Sequence, residues 1–287
     1  MVEHTMEPEL TISEPIETAA SRARRFPWWL AALIAAILSV YVLIFVNPSY
    51  SETFAFVREG LLVTISVSLS AYGIALVIGL FAGLGRISRN VVFNNIATFY
   101  VETIRGVPML VLIFYLALVG VPMIVEWAKG MGTSLLDLGI GVGAWLEQLD
   151  IQQIPMATRA IVALAVTYGA FLAEIFRAGI QSIEPGQMEA ARSLGMSYGQ
   201  AMRYVILPQA IRNVLPALGN DFIAMLKDSS LVSVLAVRDI TQLSRLYAGR
   251  SFRFREAYTI LLVMYLSMTI VLSMAVRYLE RRMRSDR

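Results

Sequence analysis

The side chains able to do chemistry in this chain are few and unevenly placed. Its one histidine, His4, lies in the first twenty residues, and there is no cysteine. Histidine acid–base pairs, thiolate metal sites, cysteine nucleophiles and disulfides are therefore excluded. No Gly-x-x-x-x-Gly-Lys-Ser/Thr phosphate loop occurs. Gly139, Gly141 and Gly143 precede no helix carrying lysine and read as a flexible loop. Lys227 lies two residues before Ser229, but a Ser/Lys pair needs apposed side chains, which adjacent positions seldom supply. No cofactor or metal is expected, and energy-driven work needs an ATPase on another chain.

What remains are charges inside hydrophobic stretches, which are costly in lipid and default to functional hypotheses. Glu174 and Arg177 are three apart, so they share a helix face and can pair internally; Glu102 and Arg105 repeat that spacing. Both pairs read first as structural ion pairs that fix helix ends. Asp221 and Asp228 are seven apart on one helical face, with Lys227 offset by one position. Together with Ser229 and Ser230 they could line a polar pathway, since a zwitterion needs one cationic and one anionic contact. Interhelical or inter-subunit pairing explains the same charges more simply.

The elements that must position these residues are membrane helices. Hydrophobic residues make up 57% of the chain and charged residues 16%, well below the charge of a soluble domain. Four charge-free stretches can cross a hydrocarbon core of about 30 Å: Trp28–Val46, Leu61–Leu84, Val107–Val125 and Ala257–Val276. Two more, Ala157–Gln181 and Val214–Val237, carry charge. The expected fold is thus an all-α, polytopic bundle of about six spans. Residues 1–26, acidic and proline-containing, read as a disordered tail. Residues 27–53 read as an N-terminal span with an external loop, and 54–287 as the main transmembrane domain.

Arginines before the first span (Arg22, Arg24, Arg25), after the second (Arg86, Arg89) and after the last (Arg277, Arg281, Arg282, Arg284) put both termini in the cytoplasm. The 127–156 loop then faces outside. Residues 238–256 should also be external, yet hold Arg238, Arg245, Arg250, Arg253 and Arg255. The formal net charge of +3 is modest. Arginines at membrane boundaries point to lipid headgroups rather than nucleic acid.

Between the two charged spans lies a polar, helix-prone loop, 185–208, on the cytoplasmic side. Pro185-Gly186 is a turn signal. Gln187, Met188, Ala190, Ala191 and Leu194 form one face of a short helix, with Glu189, Arg192 and Ser193 on the other. Gly195 stands where a left-handed cap ends that helix. Ser197 and Gln200 fit a capping box for a second, and Pro208 should terminate or kink it. Such a hairpin could lie on lipid or dock onto protein. Its Ala-Ala pair is poor membrane glue and good packing surface. Gly79-x-x-x-Gly83 is a weak signal for close helix contact.

Several segments, taken in order, resemble a known family. Glu189-Ala190-Ala191, Gly195 and Ile206-Leu207-Pro208 match the "EAA" loop of permease subunits in ATP-binding cassette importers. Arg105-Gly106-Val107-Pro108 is similar to the Arg-Gly-x-Pro segment of the polar amino acid branch. Ala173–Ile180 and Lys227-Asp228-Ser229-Ser230-Leu231-Val232-Ser233 also resemble that branch. The chain departs from it in its N-terminal tail and extra span, in a long 121–156 loop, and in Leu112, where a glutamine often stands.

The resemblance implies an inner-membrane subunit of a binding-protein-dependent amino acid importer. Glu189, Ala190, Ala191, Gly195, Ile206, Leu207 and Pro208 would contact two cytoplasmic ATPase subunits. A second permease, identical or homologous, would complete the pathway, and a periplasmic or surface-tethered binding protein would deliver the amino acid. Two alternatives stay open: a stand-alone secondary transporter, or an importer for another small polar solute such as an opine or compatible solute. A membrane enzyme is disfavoured by the missing histidine and cysteine chemistry.

Overall fold

The structure is a computed structural model that describes residues 28–285; the expected 1–26 tail lies outside them. The described residues form helices and connecting turns. Helix α1 (Trp28–Val46) leads into α2 (Pro48–Val57), a 3-10 turn at Arg58–Gly60 and α3 (Leu61–Ile87). Then come α4 (Val91–Arg105), α5 (Met109–Tyr115), a π segment (Leu116–Gly120) and α6 (Val121–Asp137). Helices α7 (Val142–Glu147) and α8 (Met156–Gln181) lead to the polar loop, formed by α9 (Pro185–Ser193) and α10 (Tyr198–Ala201). A π segment at Met202–Ile206 passes into α11 (Leu207–Asp228), a 3-10 stretch Ser229–Leu235, α12 (Ile240–Ser251) and α13 (Phe254–Ser285).

Among the described residues, four helical runs are long and apolar enough to cross a membrane: Pro48–Ile87, Met109–Asp137, Met156–Gln181 and Phe254–Arg282. α1 offers a shorter apolar stretch, Ala31–Val46. The expected span Val214–Val237 is not one α-helix. α11 starts earlier, at Leu207, and stops at Asp228, where the serines open a 3-10 stretch that ends in left-handed Ala236.

Three expected loops are helical. Residues 48–57 form α2, started by Asn47, whose side chain accepts the Ser49 N–H, and by Pro48 in its first turn. Residues 240–251 form α12, capped by Asp239. The glycine-rich external loop is a packed hairpin of α6 and α7. A Cβ on Gly132 would lie 2.9 Å from the Gly143 carbonyl oxygen, and one on Gly143 only 2.5 Å from that of Gly132. Gly143, which looked like flexibility, is therefore a contact point, while a Cβ on Gly139 or Gly141 meets nothing within 4 Å. α4 joins the spans on either side of it and exposes Val92, Phe93, Ile96 and Phe99.

The core is the crossing of α3 and α8. Lipid tails are as apolar as leucine, so membrane helices associate through close packing of small residues. Here a Cβ on Gly79 would meet the Leu172 Cβ at 2.5 Å, and one on Gly83 the Ala173 carbonyl oxygen at 2.8 Å. Gly79-x-x-x-Gly83 is thus a helix contact. Ala71, Ala75, Ala163, Leu164, Tyr168 and Leu172 are buried along it. α8 meets α11 the same way, Gly179 lying against Val214 with no room for a Cβ.

Candidate functional site

The 185–208 loop is a locked elbow. α9 ends in a left-handed turn at Gly195, φ +84°. The Gly195 N–H donates to the Arg192 carbonyl (3.0 Å) and the Met196 N–H to that of Ala191 (3.2 Å). This double bond pattern is a Schellman cap. Two residues on, the Ser197 side chain accepts the Gln200 N–H while the Gln200 side chain accepts the Ser197 N–H, giving both halves of a capping box. Pro208 does not end the second helix. The helix runs on from α10 through the wide turn Met202–Ile206 into α11, and that turn, closed by the Leu207 N–H on the Met202 carbonyl, makes the break in regular α bonding just before the proline.

The loop divides its residues differently from the helical-wheel reading. Ala191, Ala201 and Ile206 are buried between α9 and the turn that follows it. Glu189, Ala190, Gly195, Leu207 and Pro208 are exposed. Leu194, expected on the inner apolar face, is 84% exposed at the tip of the elbow. The capping turn swings it outward. At its base Gln209 Nε2 of α11 donates to Gln187 Oε1 of α9 at 3.4 Å, and just below, Asn213 Nδ2 donates to Ser182 Oγ at 3.0 Å, joining α11 to the end of α8. Beside it a cleft of 770 Å³ opens between α8 and α11, lined by Glu174, Gly179, Ser182, Arg212 and Asn213.

One charge network sits on the same end of the bundle. Glu174 accepts hydrogen bonds from Arg86 and from Arg177, the latter at 2.7 Å, and lies 3.9 Å from Arg105. Arg86 also pairs with Glu102 at 3.0 Å. The expected Glu174–Arg177 pair forms, but Glu102 pairs with Arg86 rather than with Arg105. The two local pairs are one cluster tying α3, α4 and α8 together. Glu174 is its centre, and Arg86, read from the sequence only as a topology marker, links it to Glu102. Only the register of α3 on α8 reveals this, and the Gly79–Gly83 contact sets that register.

The pathway residues are only partly assembled. Asp228 accepts the Tyr168 hydroxyl at 2.7 Å, and Asp221 lies within electrostatic range of Asp228, Tyr72 and Tyr168. One carboxylate oxygen of Asp221 is buried without a hydrogen-bond partner. Lys227 is exposed and makes no ion pair among the described residues, so it does not join the aspartates. The one-position offset puts it on another face. Ser229 is buried and donates to the Leu226 carbonyl, and Ser230 is half-buried. Tyr72 and Tyr168, which add hydroxyls to this cluster, carry no sequence signal without the α3–α8–α11 packing.

A family model described as "Binding-protein-dependent transport system inner membrane component" matches residues 75–285. The chain belongs to that family. It is therefore a multi-pass inner-membrane transport component, and in this family ATP hydrolysis resides in a separate subunit. The permease is 35% identical over 226 residues to the glutamine transport system permease protein GlnP of Escherichia coli strain K12, covering 79% of this chain and 92% of that one. It is equally similar, 35% over 232 residues, to the probable glutamine ABC transporter permease protein GlnM of Bacillus subtilis, covering 81% and 95%. Among solved structures, an amino acid ABC transporter crystallised with histidines aligns at a TM-score of 0.65 with 38% identity, covering 82% of this chain and 95% of that chain.

Proposed function

We propose that this permease forms the membrane pathway of an importer for glutamine or a similar polar amino acid, driven by two ATPase subunits that hold the 185–208 elbow from the cytoplasm. A second permease, identical or homologous, completes the pathway, and an external binding protein supplies the amino acid. Both termini lie in the cytoplasm. The 35–38% identity to amino acid permeases over four-fifths of the chain supports the substrate class.

The observation that carries the coupling role is Leu194, a large apolar side chain held in the open by a doubly capped elbow. Residues around it (Glu189, Arg192, Ser193, Gly199) are polar or small. A helix lying on lipid would show a continuous apolar face, and here Met188 and Ala191 turn inward instead. Leu194 at the tip, with Tyr198 and Tyr204 exposed further along and charges between them, makes a broken apolar surface that suits a protein pocket. ATP-driven closure of the ATPase pair then moves the elbow as a rigid lever, because α9 is held to α11 by the Gln209–Gln187 bond and the chain runs from its two ends into α8 and α11. Asp221 and Asp228 with the two tyrosines offer the polar contacts inside.

Co-expression with the ATPase subunit tests the coupling role. Leu194→Glu should still insert into the membrane, yet retain at most about a tenth of the wild-type ATPase on purification, a loss of roughly 1.4 kcal/mol or more. Full ATPase retention with normal uptake would remove the elbow from the coupling role.

A further inference from the structure

The helical run that ends in α6 is longer than the bilayer it crosses. Met109–Asp137 is an apolar run of 29 residues, about 43 Å, against a hydrocarbon core of about 30 Å. Its inner end lies at the charge cluster, because Arg105, just before it, is 3.9 Å from Glu174. The excess of about 13 Å therefore falls at the outer end, in α6. Tilt absorbs such an excess in a helix that is apolar all round. α6 is not, since Glu126, Lys129, Thr133 and Asp137 form an exposed polar row along it.

α6 has two further faces. Val121, Val125 and Gly132 are buried, where the helix packs on the π segment and on α7. Met123, Trp127 and Met131 are apolar yet exposed, Trp127 at 69%. They continue a row of every fourth residue that starts lower on the same run with Val111, Tyr115 and Val119, all exposed. Such a row drifts around an α-helix, and the π turn Leu116–Gly120, wider than an α turn, turns it back. The outward side of the span therefore runs without a break onto the hairpin. Gly132 faces Gly143 and Leu146 while Gly143 faces Leu136, so α7 runs back antiparallel along α6. Helical rotation then brings Trp145, 65% exposed, to the side of Trp127, and Glu147 to the side of Lys129.

We propose that the α6–α7 hairpin is bedded in the outer headgroup layer of the bilayer, its apolar side on lipid and its polar side in water. Tryptophan concentrates at that depth, because its ring is apolar and its N–H needs a polar partner. A short helix with one apolar side carrying Trp and Leu and one charged side is the pattern of an interfacial anchor. The lipid occupant follows from continuity: a protein covering Trp127 would have to sit on a row that the membrane already covers at Val111 and Tyr115. The anchor is fastened to the bundle on its return. Arg159 of α8 donates to the Ile151 and Ile154 carbonyls at 2.6 and 3.2 Å, which ties the segment after α7 to the outer end of that span. The hairpin thereby fixes the depth of α8, whose other end leads into the elbow.

The test uses the full-length permease in nanodiscs, where both membrane faces are open to solutes. Trp28→Phe and Trp29→Phe are made throughout; adding Trp145→Phe leaves Trp127 alone, and adding Trp127→Phe leaves Trp145 alone. Each remaining tryptophan should lose about half its emission to phosphatidylcholine brominated near the headgroup end of its acyl chains. Lipid brominated near the chain ends should quench less, and aqueous iodide hardly at all. Quenching by iodide without quenching by either lipid would place the hairpin in water and overturn the proposal. Silence toward both quenchers would mean a protein cover, a second copy or another subunit, and would overturn it too. A second measurement needs no tryptophan change. The chain has no cysteine, so Asp137→Cys and Leu138→Cys, adjacent and both exposed, report one site each. A membrane-impermeant maleimide should label Asp137→Cys at least about tenfold faster, because it attacks the water-exposed thiolate. Equal rates would overturn the proposal.

Discussion

Gly195 offers the sharpest test of the locked elbow, because its backbone and its surroundings make separate demands. Its φ of +84° penalises any side chain, but a Cβ there meets nothing within 4 Å. Substitution should therefore act through backbone strain alone, and the cost should follow tolerance of the left-handed region. Alanine should cost about 1 kcal/mol, asparagine less because it visits that region readily, and valine about 2–3 kcal/mol as a β-branched residue. The Schellman bonds at 3.0 and 3.2 Å persist only if this conformation holds. At 1.4 kcal/mol per tenfold, the locked population falls at most about fivefold for alanine and about 30- to 150-fold for valine. Amino acid uptake by proteoliposomes, normalised to inserted permease and to bound ATPase, reads this out. The expected order is glycine, asparagine, alanine, valine. If Gly195→Asn were as inactive as Gly195→Val, side-chain intrusion at the ATPase contact would be the cause and the strain reasoning would be refuted. Wild-type uptake by Gly195→Val would show that the elbow need not be locked.

Glu174→Gln should lower the stability of the detergent-solubilised permease by about 1–3 kcal/mol, because it leaves Arg86, Arg105 and Arg177 without their shared carboxylate. Glu102→Gln, whose side chain is 60% exposed, should cost less than about 1 kcal/mol, and equal shifts in Tm would contradict a cluster centred on Glu174. Gly79→Ala should destabilise by about 1–3 kcal/mol, since its Cβ would sit 2.5 Å from that of Leu172. Gly73→Ala on the same helix meets nothing within 4 Å and should be neutral or stabilising by up to about 1 kcal/mol, so the two melting curves together check the α3–α8 crossing.

How legible each feature was depended on the range of the interactions that form it. The elbow was readable almost to the residue. A glycine cap and a Ser-x-x-Gln box are local rules, satisfied within a few positions whatever the rest of the chain does. The apolar runs were equally plain, because bilayer thickness sets their length. The helix wheel misplaced Leu194, since it continues helical rotation through a turn that abandons it. Gly143 reads as slack and its contact partner Gly132 carries no signal, because a contact between two glycines leaves no trace in either one's neighbourhood. The helices at 48–57 and 240–251 were missed for another reason: both are short and amphipathic, and their stability comes from packing on the span ends.

By itself, the sequence determined that this protein is a membrane helix bundle whose apolar spans hold neither histidine nor cysteine, and that it carries one capped, polar elbow. Each of these follows from composition, from the period of the helix, or from hydrogen bonds closed within a turn. Only the tertiary structure decided who pairs with whom. It joined Arg86, Glu102, Arg105, Glu174 and Arg177 into one cluster, gave Asp228 to Tyr168 and left Lys227 outside. Charge pairing falls off within a few ångströms. The partner is therefore fixed by the register of helices far apart in sequence, and that register is set where Gly79 and Gly83 let α3 close on α8.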